Sequence, residues 1–265
     1  MDLHDHAEAD PALDVAISHA LLERAARDGS ESLRAWRPLR PALSVGRLDL
    51  RDRRAPELLA LARAAGVTAV RRLAGGRAAM VDPGCLCLGW AQPHPTLAQS
   101  SSRYELIATA IVEALAELGV AASLAESPGE WCPGAWSVRG PAGKLAGLAQ
   151  RVVAGAAWCE ALIVIERDAR LTSLARQVHA ALGLQWRDEA QGELAALLAA
   201  PAGVEDADVD GGGVEGGSVQ GRVHAGLAEA LVAALGRNWP AIKREPLPPA
   251  VHARAVELAS EHRLR

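Results

Sequence analysis

No stretch constrains this chain more than Val70–Gly84, VRRLAGGRAAMVDPG. The residues that lead into it, Val67-Thr68-Ala69-Val70, have the β-branched composition of a short buried strand. Gly75-Gly76 lets the backbone approach a ligand with no Cβ in the way. Arg71, Arg72 and Arg77 surround that turn, and guanidiniums offer planar, bidentate donors that keep their charge, so a carboxylate or phosphate suits them. A hairpin turn with solvated arginines accounts for the same residues, and for this stretch alone it is the simpler reading.

A second stretch, Gly143–Arg151 (GKLAGLAQR), shifts the balance, and Pro41-Ala42-Leu43-Ser44-Val45-Gly46-Arg47 adds a third. In this order, over roughly residues 10 to 170, the chain resembles the biotin/lipoate protein ligase and octanoyltransferase family. That family carries an RRxSGGGxVxHD-like strand and loop, a GKxxGxAQ-like strand with an essential lysine, and an early PxLSIGR-like strand. The chain departs from the pattern on the ligand-facing loop, with Ala74 for Ser, Arg77 for the third Gly and Val81 for His; Glu160-Ala161 replaces a later His-Gly pair.

The resemblance implies an α+β fold with a central, mostly antiparallel or mixed sheet flanked by helices. It also implies the site. Lys144 would polarise the acyl carbonyl or acyl-phosphate, and Gly147 would let the acyl chain or nucleotide pass close to the backbone. Gln150 would orient neighbouring groups. Arg71 and Arg72 alternate in direction if they lie on a strand, so only one faces the ligand; the preferred one, Arg71, would bind the anion with Gly75, Gly76, Arg77 and Asp82. The implied reaction is that of a lipoate- or octanoate-protein ligase, in which ATP and Mg²⁺ activate the acid as an acyl-adenylate and a lysine of a lipoyl-carrier domain accepts the acyl group. Cys132 opens an alternative. It lies 12 positions before Lys144 in a Pro/Gly-rich loop, and a thiolate there could carry octanoate from an acyl carrier protein as a thioester, with no ATP. A structural cysteine is an equal reading. A third possibility is a non-catalytic homologue that holds an acyl ligand, and an accessory subunit belongs with the ligase reading. Biotin fits less well, because the loop resembles the lipoate branch.

Composition limits the other classes. The formal charge is −4 and basic residues form no extended stripe, so the electrostatic footprint of a nucleic-acid binder is missing. No apolar run approaches the roughly 18 residues of a membrane span. The acidic start, MDLHDHAEADPALD, reads as no signal peptide, which with four cysteines lacking CxxC spacing suggests a cytoplasmic chain with reduced thiols. The sequence offers no metal site: Asp206, Asp208 and Asp210 imitate an EF-hand start, but Gly217 stands where its Glu should be.

Periodicity predicts helices over 11–27, ended by Gly29, over 56–65, ended by Gly66, and over 171–182, ended by Gly183. Ser102-Arg103-Tyr104-Glu105 reads as a capping box opening a helix that stops at Gly119. Strands are expected at 43–46, 84–91, 121–124 and 158–166, and a hairpin at 136–151 turning on Gly140–Gly143. Residues 201–221 carry five acidic residues and seven glycines with no lysine or arginine, a composition expected of a mobile loop. The organisation anticipated is a catalytic domain over 1–199, that loop over 200–221, and C-terminal helices over 222–265 packing on the same domain, Val251, Ala255, Val256 and Leu258 facing inward. No room is left for a further accessory domain.

Overall fold

The computed structural model of the chain describes residues 1–96, 99–199, 219–239 and 241–264. Most of the acidic, glycine-rich segment therefore lies outside the described residues. Strand β1 (Asp2–His4) precedes helix α1 (Pro11–Asp28). Strands β2 (Ser32–Trp36) and β3 (Ala42–Val45) lead through a short helix, α2 (Arg47–Leu50), to α3 (Ala55–Ala64). Strands β4 (Thr68–Arg71), β5 (Ala79–Val81) and β6 (Cys85–Pro93) follow, then α4 (Ser100–Glu117). Next come β7 (Ser123–Leu124), β8 (Val138–Gly140), β9 (Gly143–Val153) and β10 (Ala156–Val164). The chain ends with α5 (Ala169–Ala181), α6 (Leu194–Ala199), α7 (Val219–Gly236), β11 (Lys243–Arg244) and α8 (Pro249–His262).

Helix ends follow local chemistry. Asp10 caps α1 through its carboxylate to the Ala12 N–H, Pro11 occupies the first turn, and Gly29 closes the helix at φ 75° with its N–H on Ala25 O. Gly66 and Gly183, both at φ 68°, stop α3 and α5 in the same way. The capping-box expectation at Ser102 is corrected: α4 starts at Ser100, and the Ser102 hydroxyl donates to Gln99 O instead of capping a helix end. Val256 is a second correction, since it is exposed on α8 while Val251, Ala255 and Leu258 are buried.

Eight strands form one mixed sheet in the order β11-β1-β2-β6-β10-β9-β8-β7, in which β1 runs parallel to β11 and β2 and the remaining pairs are antiparallel. Both faces are covered, which is why central β6 reads as a nearly unbroken apolar run. Leu86, Leu88 and Trp90 pack with Ile107, Ile111 and Leu115 of α4 and with Leu227 and Leu231 of α7. On the other face Cys87 and Ala91 meet Ile17 and Leu21 of α1 and Val251 and Leu258 of α8. A smaller sheet, β4-β3-β5, packs on α3 and α5 through Leu43, Val45, Leu58, Leu174 and Val178. The arginine loop connects β4 to β5 and so lies where the two sheets meet.

Candidate active site

Strand β4 ends at Arg71, which pairs with Val45 of β3 and is exposed. Arg72 is the first loop residue, and its side chain turns inward. Its Nη2 donates to Glu160 Oε1 at 3.1 Å and its Nη1 to Arg77 O at 3.0 Å, with Cys132 Sγ 3.7 Å from the same nitrogen. The expectation that Arg71 is the inward residue is corrected: Arg71 is exposed at the strand's end, and Arg72 is the one that turns inward. Arg71 instead offers its carbonyl to His262 Nδ1 at 2.8 Å. Gly76, at φ 97°, could not carry a side chain, because a Cβ would stand 2.8 Å from both Arg72 Nη1 and Cys132 Sγ. The Gly75 N–H is tied to Gln150 O at 3.2 Å. Arg77 faces Asp49, with Nη1 2.8 Å from Oδ1, while Asp49 Oδ2 accepts the Ala78 N–H at 2.6 Å.

The loop before β8 meets this one. Glu130 is fully buried and accepts the Ser127 N–H at 3.0 Å, the Ser137 hydroxyl and the Lys144 ammonium at 3.2 Å. Lys144 is 1% exposed and also donates to Trp131 O at 2.9 Å and Cys132 O at 2.8 Å. An ammonium has three protons to give, and all three are committed within the chain. The Trp131 ring covers the nitrogen at 4.3 Å, a cation–π contact. Burial pulls Lys144 below the ordinary lysine range, with the Glu130 carboxylate opposing.

Lys144 thereby holds two successive carbonyls and fixes Cys132 at φ 40°, a backbone conformation uncommon for a residue with a side chain. The Cys132 sulfur accepts the Arg77 N–H at 3.2 Å. One backbone N–H and one guanidinium thus cradle the Cys132 sulfur. The other cysteines differ. Burial pushes the Cys85 and Cys87 thiols far up and Cys159 up to about 12, so they remain neutral packing groups.

Between the sheets lies a slot of about 80 Å³ lined by apolar Trp36, Leu73, Val81 and Leu162, by the Arg72, Cys132 and Glu160 cluster, and by Asp14, Ser18 and Ser44. Lys144 is behind its wall, separated from it by Trp131, which lines the slot. Gly147 is a glycine because of that ring: a Cβ there would stand 2.8 Å from Trp131 Cη2 and 3.0 Å from Lys144 Cε. The expected neighbour was a ligand, and the structure places an indole there. Gln150 is directed to α4, accepting Arg103 Nε at 2.9 Å and donating to Ser100 Oγ at 3.1 Å. Asp82 caps its own turn through the Gly84 N–H at 2.6 Å and lines a separate cleft with Arg167 and Asp168; burial raises its carboxyl above the ordinary range. Asp82 and Gln150 therefore lie outside the slot, whereas Cys132 and Gly147 line it beside Arg72. The sequence expectations did not include Glu130 or Trp131, and gave Arg72 only as the less favoured arginine and Glu160 only as a departure from the family pattern. The first two stand beside Cys132 in the run Glu130-Trp131-Cys132 and were within reach of a reading that followed that loop.

The profile of the lipoyl protein ligase A/B catalytic domain matches residues 10–186. No curated protein sequence matches the chain. Among solved structures, it is similar to a bi-partite lipoate protein ligase from Thermoplasma acidophilum, studied with its E2 lipoyl domain, at 17% identity and a TM-score of 0.68, covering 98% of this chain and 92% of that one. A T. acidophilum structure with bound lipoic acid gives 17% identity and a TM-score of 0.71, with 98% and 95% covered. Lipoate-protein ligase A bound with ATP gives 15% identity and a TM-score of 0.68, with 98% and 94% covered. At such identities the likeness is one of fold.

Proposed function

Because the chain belongs to the lipoyl protein ligase A/B catalytic-domain family, we propose that it attaches a lipoate- or octanoate-class acyl group to a lysine of a lipoyl-carrier domain. The observation that carries this reading is the slot itself, a largely apolar groove lined also by the Arg72 guanidinium. Arg72 Nε and Trp131 Nε1 are buried donors without a hydrogen-bond partner, both on residues that line the slot. Such orphans are costly and suit the oxygens of an acyl ligand. The slot is narrower than the roughly 300–1,000 Å³ of small-molecule pockets. Entry of an acyl chain therefore requires the Trp131–Cys132 loop to yield, and that movement would free one Lys144 proton for the acyl oxygen.

In the ligase route the carboxylate would take the adenylyl group of Mg·ATP at the α-phosphorus, and pyrophosphate would leave. Arg72 and the Gly75–Arg77 backbone would hold the phosphate, and Lys144 would draw charge from the carbonyl as the acceptor amine attacks and AMP leaves. An accessory subunit is compatible with this route. The Cys132 cradle specifically favours a second route. There the sulfur attacks the acyl thioester of an acyl carrier protein, the carrier thiol leaves, and the acceptor lysine then displaces Cys132. The test is the intact mass of a lipoyl-carrier domain after incubation with lipoate or octanoate plus Mg·ATP, or with octanoyl-acyl carrier protein alone. A gain only with ATP assigns the ligase route, and a gain only from the carrier thioester, lost in Cys132→Ser, assigns the transferase. Lys144→Ala should abolish either gain. No gain from any donor, with acyl binding retained, would make the chain a non-catalytic acyl-binding homologue.

A further inference from the structure

A second constellation shares no lining residue with the acyl slot. His6 Nε2 lies 2.8 Å from Glu8 Oε1, and His252 Nε2 lies 2.9 Å from the same oxygen. The three donor atoms all fall within 4.8 Å of one another. The imidazoles approach edge to face, with centroids 5.9 Å apart and planes at 89°, so that two rings converge on one point without stacking. Two imidazoles and a carboxylate are the donor set of a three-ligand zinc site, in which water takes the fourth position. Zinc bonds of about 2.0–2.2 Å to nitrogen and oxygen put tetrahedral donors roughly 3.4 Å apart. Only small adjustments of partly exposed side chains separate the observed triangle from that geometry.

The backbone beneath these ligands is fixed. Buried Arg34 donates to His6 O from Nε at 3.2 Å and from Nη2 at 2.9 Å, and the Glu8 N–H donates to Asp14 Oδ1 at 3.0 Å. The third ligand stands on α8, held against α1 by Val251, Ala255 and Leu258. Asp5 and Glu245 line the surrounding cleft together with Arg244, whose guanidinium is paired with Glu229. We propose that His6, Glu8 and His252 bind a divalent cation of the Zn²⁺ class, which staples the N-terminal segment to α8. The far end of α8 carries His262, whose Nδ1 holds the Arg71 carbonyl, so the staple also steadies the helix behind the arginine loop.

The test titrates the full, metal-free chain, carrying no affinity tag, with Zn²⁺ and with Co²⁺. The expected result is one equivalent bound per chain, visible Co²⁺ bands of a four-coordinate site, and a Tm that rises with Zn²⁺. Glu8→Gln and His252→Gln should each weaken binding at least about tenfold and lose the Tm response, with an unchanged circular dichroism spectrum showing that they fold. His19→Gln, which alters a histidine of α1 outside the cluster, should bind as the unaltered chain does. Absence of stoichiometric binding, or binding that survives Glu8→Gln and His252→Gln together, would overturn the site.

Discussion

Lys144 and Glu130 form the buried ion pair of the site, and each satisfies the other along with neighbouring groups. Removing one partner of such a pair leaves an uncompensated charge in the interior and costs about 3–5 kcal/mol. Lys144→Met should therefore lower the urea midpoint sharply, and adding Glu130→Gln should restore part of the loss. An additive double variant would mean that the pair is not coupled. Gly147→Ala probes the neighbouring indole. Its methyl would meet Trp131 and the Lys144 stem, and overpacking of this kind costs about 1–3 kcal/mol; the shift should also appear in Trp131 fluorescence. The arginine choice belongs to this scale as well. Which of two adjacent arginines turns inward depends on whether the strand ends before or after the first, and boundaries shift by a residue or two with little change in local preference.

Helices α1 and α8 meet through His19 and His262. Because His262 Nδ1 gives its proton to Arg71 O, its Nε2 accepts from His19 Nδ1 at 3.0 Å. Burial holds both imidazoles below the ordinary histidine range, so both favour the neutral form in the folded chain. A depressed folded value contributes stability that is present above about pH 6.5 and is lost as pH falls through the folded value. The urea midpoint should thus drop as pH falls below about 6.5. In His262→Gln that part of the slope should be smaller, and the plateau near pH 7.5 should fall by about 1 kcal/mol for the lost bond to Arg71. An identical slope in the variant would place the pH sensitivity elsewhere. Elements of this kind were legible where a single residue decides them. Gly29, Gly66 and Gly183 mark helix ends because the left-handed backbone there costs a glycine little. The Gly140–Gly143 turn is likewise where β8 and β9 fold back on each other. The capping box failed because Ser102 and Glu105 satisfy the motif while the helix already begins at Ser100.

For the whole molecule, Arg34 is the joint. It is fully buried, bonds to Asp14 and Ser18 of α1 and to His6 of the N-terminal segment, and lies over the Trp36 ring at 4.0 Å. Arg34→Met should cost about 3–5 kcal/mol, since it leaves the Asp14 carboxylate beside the slot without its cation, held by the Glu8 N–H and the Trp36 indole; an unfolding curve within 1 kcal/mol of the unaltered chain would refute that role. Strands β1, β2, β5 and β11 left no signal in the sequence. From the sequence alone came the α+β class, helices α1, α3, α4, α5 and α8, strands β3, β6, β9 and β10, and the loop and lysine strand that frame the slot. Those depend on periodicity, on glycine and proline, and on motif residues close together in the chain. Tertiary structure alone decided that Arg72 meets Glu160, that Glu130 holds Lys144 under Trp131, and that His6 and Glu8 face His252. Partners up to 246 positions apart leave no periodic trace; they are brought together only when both faces of the sheet are covered and α8 closes on α1.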